Sequence, residues 1–146
     1  MIDKSLIGTE MPSHSTTVEA NRLRFFAKAT GQTDPVYVDE SAAQAAGYRG
    51  LPMPPTMAFC FDMDVPNPFE ILDVLDVELG RLLHGEQHFD YLGDVCAGDT
   101  LTYRTRISDI YDKRNGALEF IVTDTDVDNQ DGDCVVKMHR VYVIRN

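Results

Sequence analysis

The spacing of hydrophobic positions changes character near Leu82. Ahead of it, apolar residues recur at intervals of three and four, the helical period, and are interrupted by proline and glycine. Beyond it they alternate with polar residues over long runs, the period of strands. The stretch STTVEANRLRFFAKATG reads as a strand stub running into a helix. Leu23, Phe26 and Ala27 fall on one side, Thr17 is placed to cap it, and Thr30-Gly31 closes it. Asp34-Pro35 then forces an extended or turn conformation, because proline bars the helical region to its predecessor. A second short helix is predicted in DESAAQAAG, with acidic residues in its first turn and Gly47 just past its end. The segment YRGLPMPPT is irregular, since Pro52, Pro54 and Pro55 remove backbone donors. Thr56 is placed to cap the helix that follows, MAFCFDMD. Its Met57, Phe59, Cys60, Phe61 and Met63 make it apolar on nearly every side, which calls for burial. NPFEILDVLDVELG is a weaker helix or a loop.

Four long strands follow. LLHGEQHFDY is the first. In it His84, Glu86, His88 and Asp90 are expected on one face and Leu83, Gln87, Phe89 and Tyr91 on the other, with Gly85 marking a bulge or a close backbone approach. In the second, Leu101, Tyr103, Thr105 and Ile107 share a face opposite Thr102, Arg104, Arg106 and Ser108. Asn115-Gly116 and Asp131-Gly132 are hairpin signals. In the last strand Val136, Met138, Tyr142 and Ile144 share a face. Only a sheet wrapped around it can bury an all-apolar helix in a chain this small. The predicted class is α+β, an antiparallel sheet wrapped around a central helix.

The chain has 146 residues, which suggests one domain over residues 1–146. A chain of this size buries about 68–70% of its unfolded surface, enough for a core without staples. Thirteen basic against 24 acidic residues leave a net charge of −11, which argues against nucleic acid and anionic membrane surfaces as partners. Cys60, Cys96 and Cys134 are odd in number and lie far apart, so neither a disulfide framework nor a zinc site follows. Reduced thiols in the cytoplasm are expected. No secretory signal is expected from MIDKSLIGTE, which has no apolar run, and no stretch is apolar for long enough to predict a membrane span.

The segment GQTDPVYVDESAAQAAGYRG resembles the MaoC-like dehydratases, or (R)-specific enoyl-thioester hydratases. Their motif is Gly-Asp-x-Asn-Pro-x-His followed by an alanine-containing helix. Gly31, Pro35 and Ala43 keep their places, and LHGEQHF with Gly98-Asp99 resembles the second half of the family. The resemblance covers nearly the whole chain and implies the hot-dog fold, the layout already read from periodicity. It also implies addition or removal of water across the C2–C3 bond of an acyl thioester carried by coenzyme A or a carrier protein. That chemistry needs an acid–base pair and a donor at the thioester oxygen. Here the family's Asp position holds Gln32 and its His position holds Tyr37. The glycine whose N–H serves as oxyanion donor is replaced by Pro55, which has none. Glutamine takes up no proton near neutral pH and tyrosine is a poor base.

This pattern is similar to the motif-less halves of the superfamily, the FAS1-like or N-terminal MaoC type, which shape the acyl pocket beside a half that carries the Asp–His pair. Gln32 and Tyr37 are then pocket-lining residues, an unconventional catalytic pair, or plain loop residues. The resemblance implies substrate contacts at Asp34, Pro55, Thr56, His84, Gly85 and Gln87, and no cofactor. It also implies a dimer, either homomeric or formed with an Asp–His-bearing MaoC-like chain. The polar face of His84, Glu86, His88 and Asp90 reads as solvated surface before it reads as a metal site. Arg49 and Lys28 are placed to meet coenzyme A phosphates or to form surface ion pairs. Two further readings stand: a non-enzymatic acyl-thioester-binding protein, and a hot-dog thioesterase using Asp62 or Asp64.

Overall fold

The computed structural model describes residues 1–146. Strand β1 (His14–Thr17) leads into helix α1 (Ala20–Ala29). Then come α2 (Glu40–Ala45), α3 (Met57–Asp62), α4 (Glu70–Leu75) and the long strands β2 (Leu82–Tyr91), β3 (Thr100–Lys113), β4 (Leu118–Asp128) and β5 (Cys134–Arg145). The five strands form one sheet in the order β1-β3-β4-β5-β2, and every neighbouring pair is antiparallel. The outer strand β2 pairs only with β5, so one of its edges is open. No helix is long and apolar enough to cross a membrane.

Alternation along the strands builds the core. Leu101, Tyr103, Val127, Val136 and Met138 face inward and pack on Met57, Ala58 and Phe61 of α3, with Leu23 of α1 and Ala43 of α2 closing the layer. Towards the other end of the sheet, Ile71, Leu72 and Leu75 of α4 cover Ile107, Ile121, Tyr142 and Ile144. The central helix is covered on one side only: Phe59, Cys60 and Met63 are half-buried.

Local chemistry fixes the connections. Asp34 accepts from the Val36 N–H at the start of a single 3-10 turn, Pro35–Tyr37. Asp39 caps α2 by accepting from Ser41 and Ala42. Arg49 grips the buried Asp99 with two hydrogen bonds of 2.9 and 2.8 Å, which ties the segment after α2 to the start of β3. Arg49 is thus one of the surface ion pairs. The turn at Arg114–Gly116 takes positive φ at Arg114, Asn115 and Gly116, as the Asn-Gly signal requires. At the other hairpin only Gly132 does so, and Asn129 instead organises the turn by accepting from Asp131 and Asp133.

Three local expectations are corrected. Thr17 lies in β1 and does not cap α1; Glu19 occupies the cap position and makes no side-chain bond there. Thr56 stands at the cap of α3 with a left-handed φ of 70°, but its hydroxyl makes no capping bond. His84 does not share a face with Glu86, His88 and Asp90. The register slips at Gly85, so His84 pairs with Tyr142 while Glu86 pairs with Val141. The bulge turns His84 to the inner face beside Gln87, Phe89 and Tyr91. Glycine fits there without moving its neighbours, whereas a Cβ would lie 2.8 Å from Val143 Cγ2 and 3.2 Å from the Val141 carbonyl oxygen.

Candidate functional site

Two places on the central helix carry polar chemistry, one at each end. At its start, Tyr37, Tyr48, Pro55 and Tyr91 line a cavity of about 150 Å³. Burial and the neighbouring Tyr48, Asp34 and Tyr91 push the Tyr37 phenol above its ordinary value, so even less phenolate is present at neutral pH to act as a base. Gln32 is exposed and does not line this cavity, and the Asp34 carboxylate is engaged with its own turn. The N–H of Thr56 donates to the Tyr91 hydroxyl at 2.8 Å. Pro55 has no N–H, so neither Pro55 nor Thr56 offers a free backbone donor. The structure therefore gathers Tyr37, Pro55 and Thr56 and leaves Gln32 apart.

At the other end of α3 the interior is ionic. Arg140 points inward from β5 and is 6% exposed. It donates from Nε to Gln87 Oε1 at 2.9 Å, from one terminal nitrogen to the Tyr142 hydroxyl at 2.6 Å and from the other to Asp62 Oδ2 at 2.6 Å. Its guanidinium also lies 4.7 Å from the Phe59 ring centroid and 5.5 Å from that of Tyr142. Burial works against its charge, but Tyr142 and Asp62 more than offset that and hold its pKa above the ordinary guanidinium value. His84 lies 5.3 Å from Phe59. Burial, with the Arg140 charge adding to it, lowers the His84 pKa, so its imidazole is neutral at pH 7. On the far side of Asp62, His14 stacks on Tyr103 at 4.9 Å, and its buried Nε2 is 3.8 Å from Asp62 Oδ1 with no hydrogen bond of its own.

The candidates His84, Gly85 and Gln87 thus meet at the ionic end, away from Tyr37 and Pro55. Asp62 is committed to Arg140, and the exposed Asp64 pairs with Arg22 at 2.5 Å. Neither is a free carboxylate of the kind a thioesterase needs to activate water. No group of three or more His, Cys, Asp or Glu side chains is arranged to hold a metal ion. Arg140 and His14 escaped the reading of the sequence. The signal for Arg140 was present: counting by twos from Val136 puts it on the inward face, where a charge demands a buried partner.

Residues 5–138 match the family model described as the FAS1-like dehydratase domain region. The chain belongs to that family. A UPF0336 protein of Streptomyces griseus is 32% identical over 136 residues, 92% of this chain and 89% of the relative. Among solved structures, the C-terminally truncated HadBC (3R-hydroxyacyl-ACP dehydratase) complex of Mycobacterium tuberculosis superposes with a TM-score of 0.81 at 26% identity. That match covers 94% of this chain and 96% of the other. The MaoC-like dehydratase of Rhodospirillum rubrum superposes with a TM-score of 0.71 over 96% of this chain and 93% of the other. At 21% identity it speaks for the fold. This FAS1-like dehydratase chain is therefore an α+β hot-dog protein of the MaoC-like kind.

Proposed function

We propose that this chain is the acyl-thioester-binding subunit of a MaoC-like hydratase or dehydratase, and that it lacks the acid–base pair itself. The observation that carries this reading is the start of the central helix. Tyr37, a poor base, lines the cavity there, Pro55 has no N–H at the place where the resemblance puts the oxyanion donor, and the Thr56 N–H is taken by Tyr91, while Gln32 lies apart. Hydration of a 2-enoyl thioester needs a base to deprotonate water and donors for the enolate oxygen. This chain offers no base there and no donor at Pro55 or Thr56, so the chemistry falls to a hot-dog partner that carries the Asp–His motif. Such a partner has a docking edge available. Strand β2 is ten residues long with one edge unpaired, and Leu83 and Tyr91 are exposed on it, with Leu92 exposed just beyond its end. Edges of this kind invite pairing. The similarity to a HadBC complex supports a heteromer, and the chain alone is expected to form a homodimer.

The test is loss of enoyl absorbance with crotonyl-CoA. The purified chain alone should give background rates. Co-expression with an Asp–His-bearing MaoC-like chain should give a co-purifying, active complex. Robust turnover by the chain alone, abolished by Tyr37→Phe, would establish an unconventional catalytic pair and overturn the reading.

A further inference from the structure

The outer face of the sheet carries a row of side chains that the thioester reading does not use. The register aligns Arg106, Asp124, His139 and His88 across β3, β4, β5 and β2. Strand β2 alone offers no ligand set, because side chains two apart fan away from one another; its pairing with β5 supplies a second imidazole. His88 and His139 stand directly opposite each other, with ring centroids 5.7 Å apart and ring planes inclined at 65°. Both side chains are exposed, 62% for His88 and 44% for His139, and both line an open concavity of about 820 Å³ on that face. We infer that His88 and His139 form a cross-strand chelate for a late first-row divalent ion such as Zn2+, Ni2+ or Cu2+, with Asp124 and Glu86 orienting the two rings. The inference is independent of the thioester reading.

An ion lies about 2.0–2.1 Å from an imidazole nitrogen, hence about 3.2 Å from the ring centre, so two rings sharing one ion have centres at most about 6.4 Å apart. The 5.7 Å separation falls inside that limit. Each ring also has one nitrogen committed to a carboxylate. Asp124 Oδ1 lies 2.8 Å from His139 Nδ1, and Glu86 Oε2 lies 3.3 Å from His88 Nε2. An ionised carboxylate only accepts, so each of these nitrogens carries the proton, and His139 Nε2 and His88 Nδ1 keep their lone pairs. The bond to Asp124 turns the free Nε2 of His139 away from β4, and strand order puts His88 on that far side. Carboxylates placed in this way fix the tautomer and raise the basicity of a ligating imidazole. They also set two negative charges beside the ion, against one cation in the row, Arg106, which lies 3.9 Å from Asp124 Oδ2. Two imidazoles are the protein's whole share of the coordination, since no third His, Cys, Asp or Glu completes a cluster. Water from the open concavity fills the remaining positions. Imidazole favours zinc, nickel and copper, whereas magnesium and calcium require oxygen ligands. An ion bound here ties the outer strand β2 to β5.

The experiment is calorimetric titration of the untagged full-length chain with Ni2+ and Zn2+, and with Mg2+ for comparison. One transition-metal ion should bind per chain, and Mg2+ should not bind. Loss of an orienting carboxylate weakens a metal site about 10–100-fold, so Asp124→Asn should cost about tenfold in affinity, and His88→Gln and His139→Gln should each cost at least about tenfold. A Cys60→Ser/Cys134→Ser variant should titrate like the parent, which separates the imidazoles from the half-buried thiols. In the parent, substoichiometric Ni2+ should broaden the NMR signals of the His88 and His139 rings before those of His14 and His84. Unchanged affinity in the His88→Gln/His139→Gln double variant overturns the site. So does Mg2+ binding as tight as that of Ni2+, loss of binding in a folded cysteine variant, or broadening that begins at His14 or His84. Absence of saturable binding up to about 1 mM Ni2+ overturns it as well. If a variant fails to fold, the broadening pattern of the parent decides.

Discussion

Arg140→Met removes one charge from the interior and leaves its partner behind. Asp62 has a side chain only 10% exposed, and its remaining neighbour is His14 at 3.8 Å, beyond hydrogen-bonding distance. Breaking a buried pair from one side costs about 3–5 kcal/mol. That is a large part of the roughly 5–15 kcal/mol that holds a domain folded. For a chain of this size each kcal/mol moves the midpoint by about 2–4 °C, so Arg140→Met should melt about 10 °C or more below the parent. Asp62→Leu should be similarly harmful, because it strands the guanidinium. The double variant should recover most of the loss, since apolar residues of similar volume often replace a buried pair at no cost. The assay is urea and thermal unfolding of the parent, both singles and the double, read as a coupling energy. A loss below about 1 kcal/mol for Arg140→Met, or single effects that simply add, would refute the claim that these charges stabilise one another.

Two further outcomes follow from other contacts. Gly85→Ala places a Cβ 2.8 Å from Val143 Cγ2 and 3.2 Å from the Val141 carbonyl oxygen. It should cost about 1–3 kcal/mol and broaden the NMR signals of His84 and Gln87; unchanged stability would mean the bulge is not needed. Burial alone would raise the Asp99 carboxyl pKa, but Arg49, the Cys96 N–H and Gln130 bring it below the ordinary 3.8. Its folded value is depressed, so its contribution is present above the unfolded value and is lost as pH falls through the folded one. Asp99→Asn should therefore cost about 2 kcal/mol at neutral pH and converge with the parent at the acid end of a urea series. A gap that persists under acid would refute the assignment.

Periodicity carried the fold because burial obeys it almost everywhere. The inward residues of β5 follow strict alternation, those of β3 do so up to the bulge after Ile107, and the proline-rich segment and both hairpin turns stand where their local chemistry puts them. The face of His84 could not be read the same way. Gly85 was legible as a bulge, but only the pairing with β5 shows that the slip falls between His84 and Glu86, reversing His84 and Leu83 relative to the rest of the strand. Thr56 illustrates a second limit. Its place before an apolar helix was clear, yet its hydrogen bond runs to Tyr91, 35 residues away. Long-range pairings such as Arg140 with Asp62 leave no local trace beyond a charge at an inward position.

The contacts between β2 and the central helix join two properties that look separate. Tyr91 reaches Thr56, His84 packs near Phe59, and Gln87 holds Arg140. All three side chains come from the strand whose other edge is open for pairing. A partner strand docking there fixes the register of β2, and a slip of one residue would turn Gln87 and Tyr91 to the outer face. The same event would release Arg140 from one of its three partners and free the Thr56 N–H. On the proposed reading, partner docking and the contacts that Tyr91, His84 and Gln87 make with the central helix and Arg140 all depend on one strand, and substitutions at Gly85 or Gln87 should alter both together.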